Sequence, residues 1–79
     1  LSSEGIFIHT EEEGLVKRQM VKQAKTVVAL ADHTKMDKTG FFKVCDLKEI
    51  DFLVTDQPPS KQLQQALINN QVECLILDK

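Results

Sequence analysis

A chain of 79 residues holds at most one domain, and a domain of this size buries only about 60–65% of its unfolded surface, so a thin core is expected. Its 42% hydrophobic and 28% charged content is typical of folded globular chains and excludes the disordered class. The net charge of −2, with basic residues scattered along the chain, argues against a direct nucleic-acid-binding surface.

The termini and the cysteines indicate where the protein works. The sequence has no apolar run near the roughly 20 residues that span a bilayer, and it does not begin with a basic-then-apolar signal pattern. Because it starts at Leu1 rather than at Met, we expect a fragment of a longer protein in preference to a processed product. Cys45 and Cys74 are too far apart for a CxxC motif, so we predict reduced thiols in a cytoplasmic protein rather than a disulfide.

The first quarter of the chain predicts an amphipathic helix. A short apolar run at residues 6–8 fits a strand stub or a packed loop. The next four residues have the T-x-x-E form of a capping box, in which Thr10 caps a backbone N–H and Glu13 reaches back to the cap. Apolar residues at helical spacing then predict a helix over 11–25 that buries one face. The residues of that face are Leu15, Val16, Met20, Ala24 and Val27.

Three apolar runs predict a three-stranded parallel sheet. The run 26–31 is too short for a helix and is bounded by polar residues, so it is interpreted as a strand buried on both faces. The runs 52–55 and 72–77 predict the second and third strands. Between these two, a helix over 59–69 begins at a proline pair and ends at Asn70, which we expect in the left-handed conformation.

The segment between the first two predicted strands is mostly irregular. Residues 32–40 are polar and predict a loop that can approach a ligand. Residues 41–45 form a short apolar patch that fits a brief extended segment, and residues 46–50 fit one helical turn capped by Asp46.

Each of the three predicted strands ends in an aspartate: Asp32, Asp56 and Asp78. In open α/β sheets, ligands bind beyond the carboxyl ends of the strands. Asp32 is followed by Thr34 and Lys35, and an acceptor, a hydroxyl and a cation together suit a polyhydroxylated, anionic small molecule. For Asp32, a ligand role and a turn-forming role both stay open. For Asp56, which lies next to a helix start, we predict an Asx turn or a helix cap.

Four short motifs follow one another in a set order. They are Glu13-Gly14-x-x-Lys17-Arg18-x-Met20, Leu30-Ala31-Asp32-His33-Thr34-Lys35, the segment from Phe42 to Val44, and Ile50-Asp51-x-Leu53-Val54-Thr55-Asp56. This series resembles the C-terminal effector-sensing domain of the DeoR family of bacterial transcriptional regulators, which runs E-A-x-x-K-R-x-M, L-A-D-x-S-K, F-x-x-V and I-D-x-L-I-T-D. Two departures are Gly14 in place of Ala, a change that costs about 0.5–1 kcal/mol inside a helix, and His33-Thr34 in place of two small hydroxyl residues.

The resemblance implies an α/β fold with a three-layer, open, mainly parallel sheet, similar to ribose-5-phosphate isomerase and the coenzyme A transferases. Residues 1–79 would be the C-terminal part of that sensor domain, without its first half and without the N-terminal winged helix-turn-helix that contacts operator DNA. Most members of the family repress sugar catabolic operons and respond to a phosphorylated sugar. By that analogy Lys17, Asp32 and Lys35 line the effector pocket, with Thr34 beside them and Glu13 close by.

Other interpretations of the same residues remain open. Glu13 and Lys17 are four residues apart and could form only a solvated surface pair, and spacing does not separate Lys35 from Lys38 as a ligand residue. His9 and His33 lack partners at metal-ligand spacing, so we expect no metal and no cofactor. The rival functions are a sugar-phosphate isomerase-like enzyme, which would use Asp32 or Glu13 as its base, and an oligomerisation module. The thin core itself predicts a homo-oligomer.

Overall fold

The computed structural model of the chain describes residues 1–77, so Asp78, the last of the strand-end aspartates, lies outside the described residues. This part of the chain forms five strands and two helices, and three of the strands follow one another between the two helices. In chain order, these elements are β1 (Ile6–Ile8), α1 (Glu11–Gln23), β2 (Val28–Leu30), β3 (Phe42–Cys45), β4 (Phe52–Thr55), α2 (Lys61–Asn69) and β5 (Glu73–Ile76), with single 3-10 turns at His33–Lys35 and Leu47–Glu49.

Strands β2, β4 and β5 form a parallel sheet in the order β2-β4-β5. The three apolar runs predicted this sheet, and β4 has the predicted bounds. Ala29, Leu53 and Cys74 lie in one row across the three strands. The α/β class is therefore confirmed, as a small fold with one parallel and one antiparallel sheet.

The antiparallel sheet pairs β1 with β3, a contact that the sequence did not predict. Helix α1 packs across it. The Nε–H of Arg18 donates to the Lys43 carbonyl at 2.9 Å, and the Arg18 guanidinium lies 4.2 Å from the centre of the Phe42 ring. A cation over an aromatic face is attracted by the ring quadrupole, so this one side chain ties the helix to β3 in two ways.

Helix α1 begins at the predicted cap, where the Thr10 hydroxyl accepts from the Glu13 backbone N–H at 3.4 Å. The other half of the predicted capping box is wrong, because within residues 1–77 the Glu13 side chain makes no bond back to the Thr10 N–H. The helix ends at Gln23, two residues before the predicted end, because Ala24 is already extended. The predicted buried face is wrong: Val16 and Met20 are 62% and 64% exposed, whereas Gly14 is buried. A Cβ at Gly14 would clash with the Phe42 ring, so the helix meets the sheet through the residue that leaves room for this ring.

Helix α2 is capped by Ser60, whose hydroxyl accepts from the Leu63 backbone N–H at 3.3 Å, so it starts two residues after the predicted Pro59. The prediction that Asn70 is left-handed is wrong, since Gln71 has φ +61° instead. The Asn70 side chain donates to the Ala66 carbonyl at 2.7 Å and closes the last turn. The backbone N–H groups of residues 71 and 72 then bond back to Ile68 and Leu67, which is a Schellman motif.

The core lies between α2, the 47–49 turn and one face of the parallel sheet. Its fully buried side chains are Leu47, Leu53, Leu63 and Leu67. The covered face of the sheet is the row Ala29, Leu53 and Cys74, and α2 lies over it. Cys45 and Cys74 are both free thiols, and Cys45 belongs to the core cluster.

The opposite, uncovered face of the sheet carries Val28, Leu30 and Leu75. The prediction that the first strand is buried on both faces is wrong, because Leu30 is 77% exposed and Val28 is 52% exposed. Strand β2 is an edge strand, and within residues 1–77 no element packs over this face. Neither helix of the described chain is long and apolar enough to cross a bilayer.

Candidate functional site

A cavity of about 510 Å³ opens beside the carboxyl end of β2. Its volume falls within the range of roughly 300–1,000 Å³ that is typical of small-molecule sites. One wall is the segment 6–9 at β1, and a second is helix α1 at Lys17. The third consists of the end of β2 and part of the loop after it, namely residues 29–31, 34, 35 and 38–40. The cavity therefore lies where ligands bind in open α/β sheets, beyond the end of a parallel strand.

Three lysines line this cavity, and they come from two separate parts of the chain. Lys17 projects from α1, while Lys35 and Lys38 belong to the loop after β2. Thr34 and Thr39 add hydroxyl groups to the same lining, and no aspartate or glutamate within residues 1–77 belongs to it. Ammonium groups and hydroxyls without an opposing carboxylate suit an anionic ligand that also carries hydroxyls.

Asp32 lies next to the cavity but does not line it. Its carboxylate caps the 33–35 turn by accepting from the Thr34 backbone N–H at 2.9 Å and from the Thr34 hydroxyl. The bond from the Thr34 hydroxyl is the main reason that the pKa of the Asp32 carboxyl lies below its ordinary value, and the bond from the Thr34 backbone N–H acts in the same direction. The structure therefore gives Asp32 the turn-forming role, and through that role it holds the threonine of the lining.

Glu13 does not line this cavity. It borders a second, open depression with Val16, Lys17 and Met20, and Lys17 belongs to both linings. Within residues 1–77, no ion pair joins Glu13 to Lys17. Of the five residues that the sequence nominates for effector binding, the structure thus brings Lys17, Thr34 and Lys35 into one lining and leaves Asp32 and Glu13 outside it.

The lining also includes residues that the sequence did not single out. His9 reaches the cavity from the end of β1, and Lys38 and Thr39 reach it from the loop. The sequence offered Lys38 only as an alternative to Lys35, because spacing along a loop does not show which side chains face inward. His9 can be placed in the lining only from the pairing of β1 with β3, and that pairing joins residues that are distant in sequence.

Asp56 makes a different contact from the one predicted. Helix α2 is capped by Ser60, and the Asp56 carboxylate instead accepts the His33 backbone N–H at 2.7 Å and pairs with the His33 ring Nδ1 at 2.8 Å. The bond from the His33 ring is the main reason that the pKa of Asp56 lies below its ordinary value. Within residues 1–77, no group of three His, Cys, Asp or Glu residues is arranged to hold a metal ion.

Comparison of the sequence with models of known families shows which family the chain belongs to. A family model described as the DeoR C terminal sensor domain matches residues 1–57, which is well over half of the chain. The chain belongs to the DeoR C-terminal sensor-domain family. The family inferred from the four motifs is thus confirmed, and its description is that of a sensor rather than of an enzyme.

Individual transcriptional regulators resemble the chain over about two thirds of its length or more. It is 46% identical to the HTH-type transcriptional repressor GlcR of Bacillus subtilis over all 79 residues, and 23% identical to a putative aga operon transcriptional repressor of Escherichia coli O157:H7 over 73 residues. It is 36% identical to the HTH-type transcriptional regulator GlpR of Haloferax volcanii over 52 residues, or 66% of the chain. The chain spans 31%, 27% and 20% of these three relatives, so each relative is several times longer.

Proposed function

We propose that this chain is the effector-binding part of a transcriptional repressor of sugar catabolism, and that its effector is a phosphorylated sugar. The observation that carries the proposal is the lysine-lined cavity at the end of β2, with Lys17, Lys35 and Lys38 in its lining. A phosphate group at neutral pH carries about −1.5 to −2 charge and strong acceptor oxygens, which complement these ammonium groups. The threonine hydroxyls of the lining complement the hydroxyls of a sugar.

The relatives support the regulatory half of the proposal. GlcR and the aga operon protein are named as transcriptional repressors, and GlpR is named as a transcriptional regulator. The lining also disfavours the rival enzyme. The two carboxylates considered as a base, Asp32 and Glu13, both lie outside the lining, and Asp32 is engaged in capping a turn.

The first test is thermal unfolding of the full-length protein and of the 79-residue chain with a panel of hexose and pentose phosphates. A ligand that binds only the folded state stabilises it by RT ln(1 + [L]/Kd), which is about 2.7 kcal/mol at a hundredfold excess over Kd. We expect one sugar phosphate to raise the melting temperature more than inorganic phosphate or the unphosphorylated sugar does. Equal shifts for all compounds, or none, would contradict a sugar-phosphate effector.

The lysines provide a residue-level test. Replacing Lys35 by Ala removes one charge-assisted contact, which is worth about 1.5–3 kcal/mol, so we expect the effector affinity to fall by about 10- to 100-fold. The matched control is Lys48→Ala, since Lys48 is an exposed lysine of the 47–49 turn outside the cavity. Calorimetric titration measures both variants. Equal affinities for the two would remove Lys35 from the site.

Operator binding would belong to a part of the protein outside these 79 residues. We infer that an N-terminal helix-turn-helix contacts operator DNA in the cytoplasm, while this domain, with its net charge of −2, does not. Effector binding then changes operator affinity only if the ligand binds the DNA-free and DNA-bound arrangements with different affinity. Gel-shift titrations of the full-length protein with and without the effector measure that difference.

The uncovered face of the sheet bears on the larger fold and on assembly. Parallel sheets are normally covered on both faces, so we propose that Val28 and Leu75 pack under a further layer in a three-layer domain like that of ribose-5-phosphate isomerase. Leu30 lies where this face meets the cavity, since it also belongs to the cavity lining. The 79-residue chain alone would then self-associate through Val28 and Leu75. We expect it to bind the dye ANS and to sediment as an oligomer, and the full-length protein to bind less dye. Equal dye binding would contradict the covering layer.

A further inference from the structure

Asp56, which lies just after β4, contacts the turn that follows β2. One carboxylate oxygen accepts the His33 backbone N–H at 2.7 Å, and the other pairs with the His33 ring Nδ1 at 2.8 Å. Both oxygens of Asp56 therefore hold a single residue of the neighbouring strand's turn. Asp56 itself does not line the cavity.

The turn held in this way is the one that carries the cavity lysine. It consists of His33, Thr34 and Lys35, and the last two line the cavity. Asp32 fixes the turn from its own start by accepting from Thr34. Asp56 fixes it from the adjacent strand, so two carboxylates set the direction of a segment only three residues long.

We propose that Asp56 is a positioning residue for ligand binding, acting through His33 to hold Thr34 and Lys35 against the cavity. This inference rests on the proposed function. If the turn samples other arrangements, the apparent affinity falls in proportion to the fraction that remains competent to bind. A turn released so that it is competent about one tenth of the time would bind about tenfold more weakly.

Charge gives this proposal a sharp discriminating test. The Asp56 carboxylate is a negative group near an anion site, so removing its charge would strengthen anion binding if Coulomb forces alone decided the outcome. Loss of positioning weakens binding. The two explanations therefore predict changes of opposite sign for the same substitution.

The pair of His33 and Asp56 lies outside the buried core, so we expect the fold to survive its loss. The His33 and Asp56 side chains are 51% and 24% exposed, and the buried side chains of the core lie elsewhere. We therefore expect Asp56→Ala, Asp56→Asn and His33→Ala to keep the core folded, as judged by the methyl and amide NMR spectrum.

The experiment is a titration of the full-length protein with inorganic phosphate and with ribose 5-phosphate and glucose 6-phosphate, followed by NMR and calorimetry. We expect Asp56→Ala to weaken binding by about tenfold or more, and the Lys35 and Thr34 amide signals to move or broaden in the free variant. We expect Asp56→Asn, which keeps an acceptor for the His33 N–H, to restore part of the affinity. We expect His33→Ala, which keeps that backbone bond, to weaken binding by only a few fold.

The outcomes separate the inference from the function beneath it. A wild-type protein that binds none of the three probes would overturn both. A wild-type protein that binds, beside Asp56→Ala and Asp56→Asn variants that are folded and bind equally well or more tightly, would overturn the positioning role alone. If Asp56→Ala does not fold, Asp56→Asn and His33→Ala still decide the question by the sign of their effects.

Discussion

The two faces of the parallel sheet have similar sequences and opposite environments. On the covered face Leu53 is completely buried beneath α2, whereas on the uncovered face Leu30, one strand away, is largely exposed. Both are leucines in apolar runs that the sequence predicts to be strands. Whether a side chain lies in the core of this chain thus depends on which element packs over it rather than on its own hydrophobicity.

Helix α1 repeats the same contrast. Its covered side is marked by Gly14, which lies against the Phe42 ring, and its uncovered side by Val16 and Met20. The more hydrophobic side of the helix is therefore the exposed one. Three substitutions measure how far covered and uncovered positions differ in free energy of unfolding.

The largest effect is expected on the covered face. Replacing Leu53 by Ala leaves a cavity under α2, and such changes destabilise by about 2–5 kcal/mol. Urea unfolding of the 79-residue chain followed by circular dichroism gives the value. The control is Leu53→Met, which nearly preserves volume and should cost less than about 1.5 kcal/mol. Equal losses for both variants would show that volume at this position is not what matters.

An intermediate effect is expected at Gly14. Alanine is the better helix former by about 1 kcal/mol, but its Cβ would meet the Phe42 ring, and overpacking costs about 1–3 kcal/mol. We expect Gly14→Ala to lower the free energy of unfolding by about 1 kcal/mol after these opposing terms. In a Phe42→Leu background the clash is relieved and the same substitution should become neutral or stabilising. Additive effects of the two changes would contradict the contact.

The smallest effect is expected on the uncovered face. Replacing Leu30 by Ser changes a side chain that is mostly in water, and surface substitutions usually lie within about 0.5 kcal/mol. Urea unfolding measures it under the conditions used for the Leu53 variants. A loss approaching that of Leu53→Ala would mean that this face is already covered in solution, for example by a second copy of the chain.

Local signals in the sequence predicted the parts of the fold that depend on neighbours along the chain. The apolar runs predicted three parallel strands, and Thr10 predicted the start of α1 through its hydroxyl. The four motifs predicted the family. Each strand, the helix start and each single motif is marked by residues within a few positions of one another.

Contacts between residues that are distant in sequence could not be predicted from such local signals. Periodicity assigned Val16 and Met20 to the core, because a glycine contact such as that of Gly14 has no hydrophobic signature. The same limit applies to the site. Lys17 was predicted through the family motifs, and Lys35 through its position after a predicted strand as well as through the motifs. His9 and Lys38 enter the lining only once β1 pairs with β3 and the loop folds back.

The buried thiol of Cys45 can be used to measure how often the fold opens. Cys45 is only 5% exposed, and burial, followed by the nearby Glu49 and Asp46 carboxylates, raises its pKa to about 11. Thiolates rather than thiols react with alkylating reagents, so this sulfur is protected both by access and by protonation while the fold is closed. The rate at which Cys45 is alkylated therefore reports how often the β1–β3 sheet separates from the core, without any label introduced into the protein.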